Sequence, residues 1–402
     1  MAQLDQEFSM TASSPDIKIK TADEIRSLFV LNRNIAYLNH GSFGAMPNSI
    51  LSYRERRLVQ IEMNPTAAFH RDLDEQLDKA LTGLSHRLLT PKSTLAWMSN
   101  VTFALNLVAR SMMDTLHPGD EVLLTDVEYG AQYKLWEWVC DKTGATLTIA
   151  NVYGHSYQDR ASQILNAVTP QTRVLLMSHI TSGTALRLPV EEVCRALADQ
   201  NIVTIVDGAH APGHIELQPA AIGCDYYAGD LHKWQVAPLG SAFLYASRSR
   251  QKELEPLVLG WAGSDPILSL NTRTSRAGTF DPSAWLTVPR ALEFHDRYLL
   301  PAVPAARALL HRAVEGLESL GFRAIWTKEE QESLLMVAAE LPIGLDPEIL
   351  DTTLLNRNIE APLTMYSHDT NLLRISVAWY TAEEEIQRLL ECCEAAKNIC
   401  YG

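Results

Sequence analysis

The chain has no run of 18 apolar residues, so no helix able to cross a bilayer is expected. Its first residues, MAQLDQEFSMTASSPDIKIK, lack both a basic start and an apolar core, so no secretory leader is expected either. Basic charge is scarce: 34 Lys and Arg stand against 48 Asp and Glu, for a formal net charge of −14. That balance argues against nucleic acid or an anionic membrane as the main partner, although a locally positive pocket can still take a small anion. Cysteine is rare, and the six (Cys140, Cys194, Cys224, Cys392, Cys393 and Cys400) show no CxxC or metal-ligand spacing. They read as reduced thiols of a cytoplasmic protein. Neither GxGxxG nor a GxxxxGKS or GxxxxGKT loop occurs, which removes the usual dinucleotide and nucleotide fingerprints. There are no internal repeats and no low-complexity segment.

What is present suits a large globular core, with 47% hydrophobic and 20% charged residues among 402. After a polar start to about residue 20, TADEIRSLFVL reads as a helix capped by Thr21. A short strand and a Gly- and Pro-bearing loop follow (35–47), then a helical region to about residue 90. From 94 to 246 strands alternate with helices: STLAWMS, DEVLLTD, ATLTIANV, TRVLLMSHI, IVTIVDGAH and SAFLYAS are the strands. Strands apolar almost throughout predict a mainly parallel sheet covered on both faces. Beyond 285 a long helical stretch breaks near two prolines, the strands SLLMVAAELP and NLLRISVAWY follow, and a last helix begins at a Thr381–Glu384 capping box. This is the pattern of a smaller α+β unit.

Ligands of parallel sheets gather at the carboxyl ends of the strands, so the polar residues there carry the functional argument. IVTIVDGAHAPGH ends a strand on Asp207, either a helix cap or an acid facing a cationic ring nitrogen. His210 and His214 are four apart, but Pro212 and Gly213 between them spoil a shared helical face, and no metal site is expected. In SNVTFALN a strand ends at Asn100-Val101-Thr102 and a helix begins. Its free N–H groups suit a phosphate or serve only as an N-cap. Tyr129, in TDVEYGAQ, is either ordinary packing or a ring stacked on a flat ligand. SHITSGT supplies hydroxyls, Ser182 among them. Lys233, in DLHKW, lies just before an apolar strand, where burial lowers an amine's pKa and the neutral form can make a Schiff base. A lysine, an acid for a pyridine nitrogen and a phosphate site together suit pyridoxal 5'-phosphate (PLP).

In YLNHGSFGAMP, NVTFALN, DVEYGA, SHITSGTALRLPV, VDGAHAPG, DLHKWQVAPLGSAFLY, GTFDPSAW and LLRISVAWYTAEEEI, taken in order, the chain resembles the class V aminotransferase family of fold-type I PLP enzymes, in its isopenicillin N epimerase-like branch. The resemblance covers roughly residues 35 to 390. It implies an α/β fold: a large domain (35–290) with a mainly parallel seven-stranded sheet covered by helices, a smaller α+β C-terminal domain (291–402), and an N-terminal segment (1–34) packing with the small domain. It further implies that Lys233 carries the Schiff base, Asp207 holds the pyridine nitrogen protonated, and His210 bonds the ring hydroxyl. Tyr129 would stack on the ring, and Asn100, Val101, Thr102, Ser182 and His232 would help hold the cofactor. Thr279 would reach the phosphate of a neighbouring subunit, making a homodimer with active sites at the interface. Arg374 would fork onto a substrate carboxylate, with Asn39 and His40 lining the substrate entrance. Two features depart from the family pattern. Asp230, three before the lysine, stands where a serine or asparagine often contacts phosphate, so it is expected to turn away or to forfeit that contact. No cysteine occurs from 225 to 391, which disfavours a persulfide-forming desulfurase.

The expected activity is therefore at Cα of an amino-acid substrate, with Lys233 as base or acid and Asp207 and Tyr129 assisting. Epimerisation needs a second proton donor, for which Tyr129 and His40 are the choices; β-elimination, as in C–S lyases, needs one base. Transamination, decarboxylation or carbon-bond formation in secondary metabolism are alternatives, and a non-catalytic PLP-fold binding protein is the reading from another class.

Overall fold

The computed structural model describes residues 20–261, 263, 265, 267–367 and 370–401. Most of the 1–34 segment expected at the N-terminus therefore lies outside the described residues. Its visible part is a helix, Ala22–Arg26, opened by a capping box between Thr21 and Glu24.

A two-residue strand, β1 (Ala36–Tyr37), precedes two long helices, Asn48–Met63 and Leu73–Arg87. The main sheet then forms from β2 (Leu95–Met98), β3 (Glu121–Thr125), β4 (Thr146–Ala150), β5 (Thr172–Ser178), β6 (Val203–Asp207), β7 (Tyr226–Asp230) and β8 (Ala242–Ala246). Their order across the sheet is β2-β8-β7-β6-β5-β3-β4, and only β8 runs antiparallel to its neighbours. The interior strands are buried along nearly their whole length, each fully buried aliphatic side chain contributing roughly 1.5–3 kcal/mol. β4, at one edge, is exposed or half-buried except at its last residue, Ala150. Six of these seven strands follow from the apolar runs in the sequence. The seventh, β7, lies in CDYYAGD, whose aromatic pair does not announce a strand; Tyr227 is fully buried against Phe243 of β8.

The smaller sheet holds β9 (Arg323–Ala324), β10 (Met336–Glu340), β12 (Leu363–Ser367) and β13 (Thr370–Ser376) in the order β12-β13-β10-β9, all antiparallel. β11 (Ile359–Glu360) instead pairs with β1 in parallel, tying the start of the described chain to this unit. The helices Ser283–Phe294 and Val303–Ser319 flank the break at Pro301 and Pro304. The last helix is Glu383–Tyr401, and its start corrects the expected capping box. Thr381 Oγ1 has no hydrogen-bond partner, and Glu385 rather than Glu384 reaches back to the Ala382 amide at 2.9 Å. The helix begins one residue later than the motif implies, which rotates Glu385 into the N-terminal position. None of the described helices is long and apolar enough to cross a membrane.

The direction of the strands decides where chemistry can occur. β2, β3, β5, β6 and β7 all end on one edge of the main sheet, and the order of connection reverses between β3 and β5. Such a reversal opens a crevice at the strand ends.

Candidate active site

Asp207 is the last residue of β6, opposite Ser178 of β5 in register. It is buried, and its carboxylate is aimed by the Ala209 amide at 3.0 Å and by Gln132 Nε2 at 3.1 Å. Burial pushes its pKa up to about 6, against the opposing pull of that amide and of Lys233. A buried acid held with two donors and no cation bonded to it is set to receive one. The next residue must be glycine, because a Cβ on Gly208 would meet the Tyr227 ring at 2.1 Å.

Lys233 lies just past the end of β7 and is largely buried. Its Nζ is 3.3 Å from His210 Nε2 and 3.6 Å from Asp230 Oδ2. Burial lowers its pKa from the ordinary lysine value, with Asp230 and Asp207 pulling the other way. The loop that carries it is packed backbone to backbone: a Cβ on Gly44 would lie 2.3 Å from the carbonyl oxygens of His232 and Lys233. Three residues on, β-branched Val236 is held at φ +52°, a left-handed conformation that costs on the order of 1–3 kcal/mol and persists only where surrounding structure enforces it.

The helix Val101–Ser111 points its N-terminus at this cluster, but not with a full set of free donors. Asn100 Oδ1 caps the Phe103 amide at 2.8 Å. The Val101 amide, expected to face a phosphate, is instead taken by Asp230 Oδ1 at 3.0 Å. Asp230 thus neither turns away nor stands idle: as the last residue of β7 it is delivered straight to a helix N-terminus, which favours an anion. Thr102, exposed, is left to present its amide and hydroxyl, with His232 beside Asp230 at 3.7 Å.

Arg374 of β13 crosses from the smaller unit. Its guanidinium donates to Ser182 O at 2.6 Å, to Asn39 Oδ1 at 3.0 Å and to Ser42 Oγ, while Nε has no partner. Burial lowers its pKa to about 10, so it stays charged at neutral pH. Ser182, expected beside the cofactor, is placed against Arg374. Tyr129 follows the end of β3 and is half-exposed at 50%. Thr279 is exposed and outside the cluster.

His40 is not at an entrance. It is fully buried among Trp234, Trp379 and Tyr380, accepts from or donates to the Tyr380 hydroxyl at 2.8 Å, and is driven down to a pKa of about 3 by burial. Enclosed by those rings and neutral, it is a poor proton donor to substrate. His214 is also consumed structurally: Nδ1 donates to His210 O at 3.2 Å and Nε2 accepts the Leu335 amide at 2.7 Å.

Two residues with clear positions in the site were passed over in the sequence. Gln132 orients Asp207 from one turn into the helix Gly130–Thr143. Glu128, buried, joins two strand ends by accepting from Thr125 Oγ1 at 2.6 Å, the Ser178 amide at 2.9 Å and the Ser178 hydroxyl; burial raises its pKa to about 7. Both stand in DVEYGAQ, whose spacing from Tyr129 was the available signal.

The arrangement can hold a flat cationic heterocycle against Asp207, an amine-reactive carbonyl at Lys233, an anionic group near Thr102 and His232, and a carboxylate at Arg374. His210 Nδ1 and His232 Nδ1, buried without hydrogen-bond partners, are further polar atoms available to such a group.

Comparison with known proteins agrees. The family described as Aminotransferase class-V matches residues 25–389. Isopenicillin N epimerase of Streptomyces clavuligerus is 33% identical over 392 residues, covering 93% of this chain and 98% of that protein. A probable cysteine desulfurase of Xylella fastidiosa is 24% identical over 399 residues, covering 94% and 95%. Among solved structures, the Escherichia coli cysteine desulfurase CsdA superposes with a TM-score of 0.81 at 20% identity, over 95% of this chain and all of that one. A C-DES mutant with glycine covalently linked to its PLP cofactor superposes equally well, with a TM-score of 0.81 at 22% identity, over 92% and 98%.

Proposed function

The chain belongs to the class-V aminotransferase family, and from that premise we propose that it is an epimerase-like enzyme that breaks and remakes the Cα–H bond of an amino-acid substrate. Its fold is that of fold-type I PLP enzymes and its cofactor is PLP. The observation that carries the proposal is the convergence of Lys233, Asp207 and Arg374 from three separate elements on one strand-end crevice. The cofactor, when bound, supplies an imine link to the amine and an electron sink for the charge left at Cα.

The protein's own groups divide the remaining work. Arg374, held in a fixed plane by Asn39, Ser42 and Ser182, offers its guanidinium to the substrate carboxylate and so orients Cα. Asp207, aimed by Gln132 and Ala209, would hold a proton on the cofactor's ring nitrogen. Lys233, with its ammonium form disfavoured by burial, is the group that takes or returns the proton at Cα. With His40 removed by burial, Tyr129 is the group proposed to act on the opposite face of Cα. Site roles for Asn100, Thr102, His210, His232 and, from a second subunit, Thr279 remain part of this proposal, as does the homodimer. The exposed Val258, Leu259, Trp261 and Ile267 support a subunit contact on that side.

A β-eliminating lyase is the second reading, favoured by the relatives that act on cysteine or cystine, such as the C–S lyase C-DES. A persulfide-forming desulfurase has less support: five of the six cysteines are buried, and Cys400 lies on the terminal helix. The test is incubation of the PLP-loaded enzyme with amino-acid substrates in deuterium oxide. Deuterium at Cα with inverted configuration, lost in Tyr129→Phe, is the expected result. Release of a keto acid and ammonia without inversion would move the chain to the lyase reading.

A further inference from the structure

A second cavity, of about 660 Å³, lies where the two units meet. Its size falls in the range of small-molecule sites. None of the residues gathered around Lys233 lines it. Its lining is apolar at Leu217, Leu231 and Leu300. It also carries Arg187, Arg307 and Gln235.

Each of those three has an unmet donor. Arg187 Nε, Arg307 Nε and Gln235 Nε2 are all buried without a hydrogen-bond partner. Gln235 is 1% exposed. The Arg307 side chain has one long bond, from Nη2 to Ser333 O at 3.4 Å. The nearby acids are Glu216 on the rim, Glu332, whose charge Arg307 feels, and Glu330 and Glu191 on the Arg187 side, and none forms an ion pair with either arginine side chain among the described residues. Nearby, one buried arginine does meet an acid: Arg160, almost fully buried, pairs with Glu330. The backbone of Arg187 is pinned at both ends of that pair, its amide to Glu330 at 2.9 Å and its carbonyl from Arg160 at 2.8 Å. Its side chain lines the cavity and forms no ion pair among the described residues. Unmet donors in a buried wall are costly, and an anion seated between them removes that cost.

We infer that this cavity is a second binding site, separate from the PLP site, for an organic carboxylate with an apolar body. The carboxylate lies between Arg187 and Arg307 with Gln235 as a third donor, and the body lies against the leucines. A bare inorganic anion leaves those leucines uncovered and is the weaker ligand. The site touches both loops of the catalytic centre, through Pro212–His214 after Asp207 and through Gln235 two residues past Lys233.

The experiment is calorimetric titration of the PLP-loaded full chain with benzoate, with benzamide and inorganic phosphate as the two comparison probes. Benzoate is expected to bind, and both benzamide and phosphate to bind at least about tenfold more weakly. Arg187→Met and Arg307→Gln are each expected to weaken benzoate about tenfold while the visible band of the bound cofactor and the circular dichroism stay unchanged. Arg374→Ala, which removes the carboxylate site of the catalytic centre, is expected to leave benzoate binding in place. Failure of benzoate to bind, equal binding of benzamide or phosphate, binding that survives in both cavity variants, or loss in Arg374→Ala would each overturn the inference.

Discussion

Asp230 is the residue on which the site's electrostatics turn. Its carboxylate fills the first amide of the helix Val101–Ser111 and stands 3.6 Å from Lys233. An anion already in that position repels a second one, so a phosphate held at Thr102 and His232, as proposed, would sit in a field of its own sign. Asp230→Asn keeps the shape and removes the charge. It is expected to tighten PLP about three- to tenfold in a fluorescence titration of apoprotein, and unchanged or weaker binding would contradict this. Lys233 and Asp207 were legible in the sequence because a charged residue at the end of an apolar strand has few reasons to be there. His40 was not. Its motif is visible, but its burial comes from Trp234, Trp379 and Tyr380, two of which lie some 340 residues away. No local pattern encodes that enclosure.

Among the elements, the ends of β3 and β5 are joined by one side chain, Glu128. Its folded pKa of about 7 lies above the ordinary 4.5 of a glutamate, so between these pH values the native state binds the extra proton. Stability from this group is complete below about pH 4.5, falls as pH rises through 7, and is then flat. Asp207, raised to about 6, adds in the same direction. Urea unfolding of the apoprotein at pH 5 and pH 8 is therefore expected to show a decline that Glu128→Gln reduces; a variant with the same decline would contradict the assignment. The element pattern itself was largely readable: six apolar runs became six strands of the main sheet. β7 escaped because Tyr226 and Tyr227 reveal their place only through β6 and β8, which bury them on both sides. The last helix shows the reverse case, a local motif at Thr381–Glu384 that tertiary packing overrode when Glu385 also took Arg26 as its partner.

At the scale of the whole molecule, the two sheets are joined through buried charge as well as apolar contact. Arg160, in the helix Tyr157–Asn166, meets Glu330, in Lys328–Ser333, and both are almost fully buried. Removing one partner leaves the other uncompensated, which costs about 3–5 kcal/mol, whereas removing both costs much less. Arg160→Met is expected to lower the urea midpoint sharply and Arg160→Met with Glu330→Leu to recover most of it, as a double-mutant cycle would read. Additive losses would mean that the pair is not coupled. The same joint positions Arg374 over the strand ends, since β13 belongs to one unit and Asp207 and Lys233 to the other. The central claim, that Lys233 is the amine that holds PLP in this crevice, has a direct test. The PLP-loaded protein is reduced with borohydride, digested and mapped by mass spectrometry. The pyridoxyl group is expected on the peptide containing Lys233, and the visible band is expected to be absent from Lys233→Ala. A protein that traps no cofactor, or traps it on another lysine, would contradict the account.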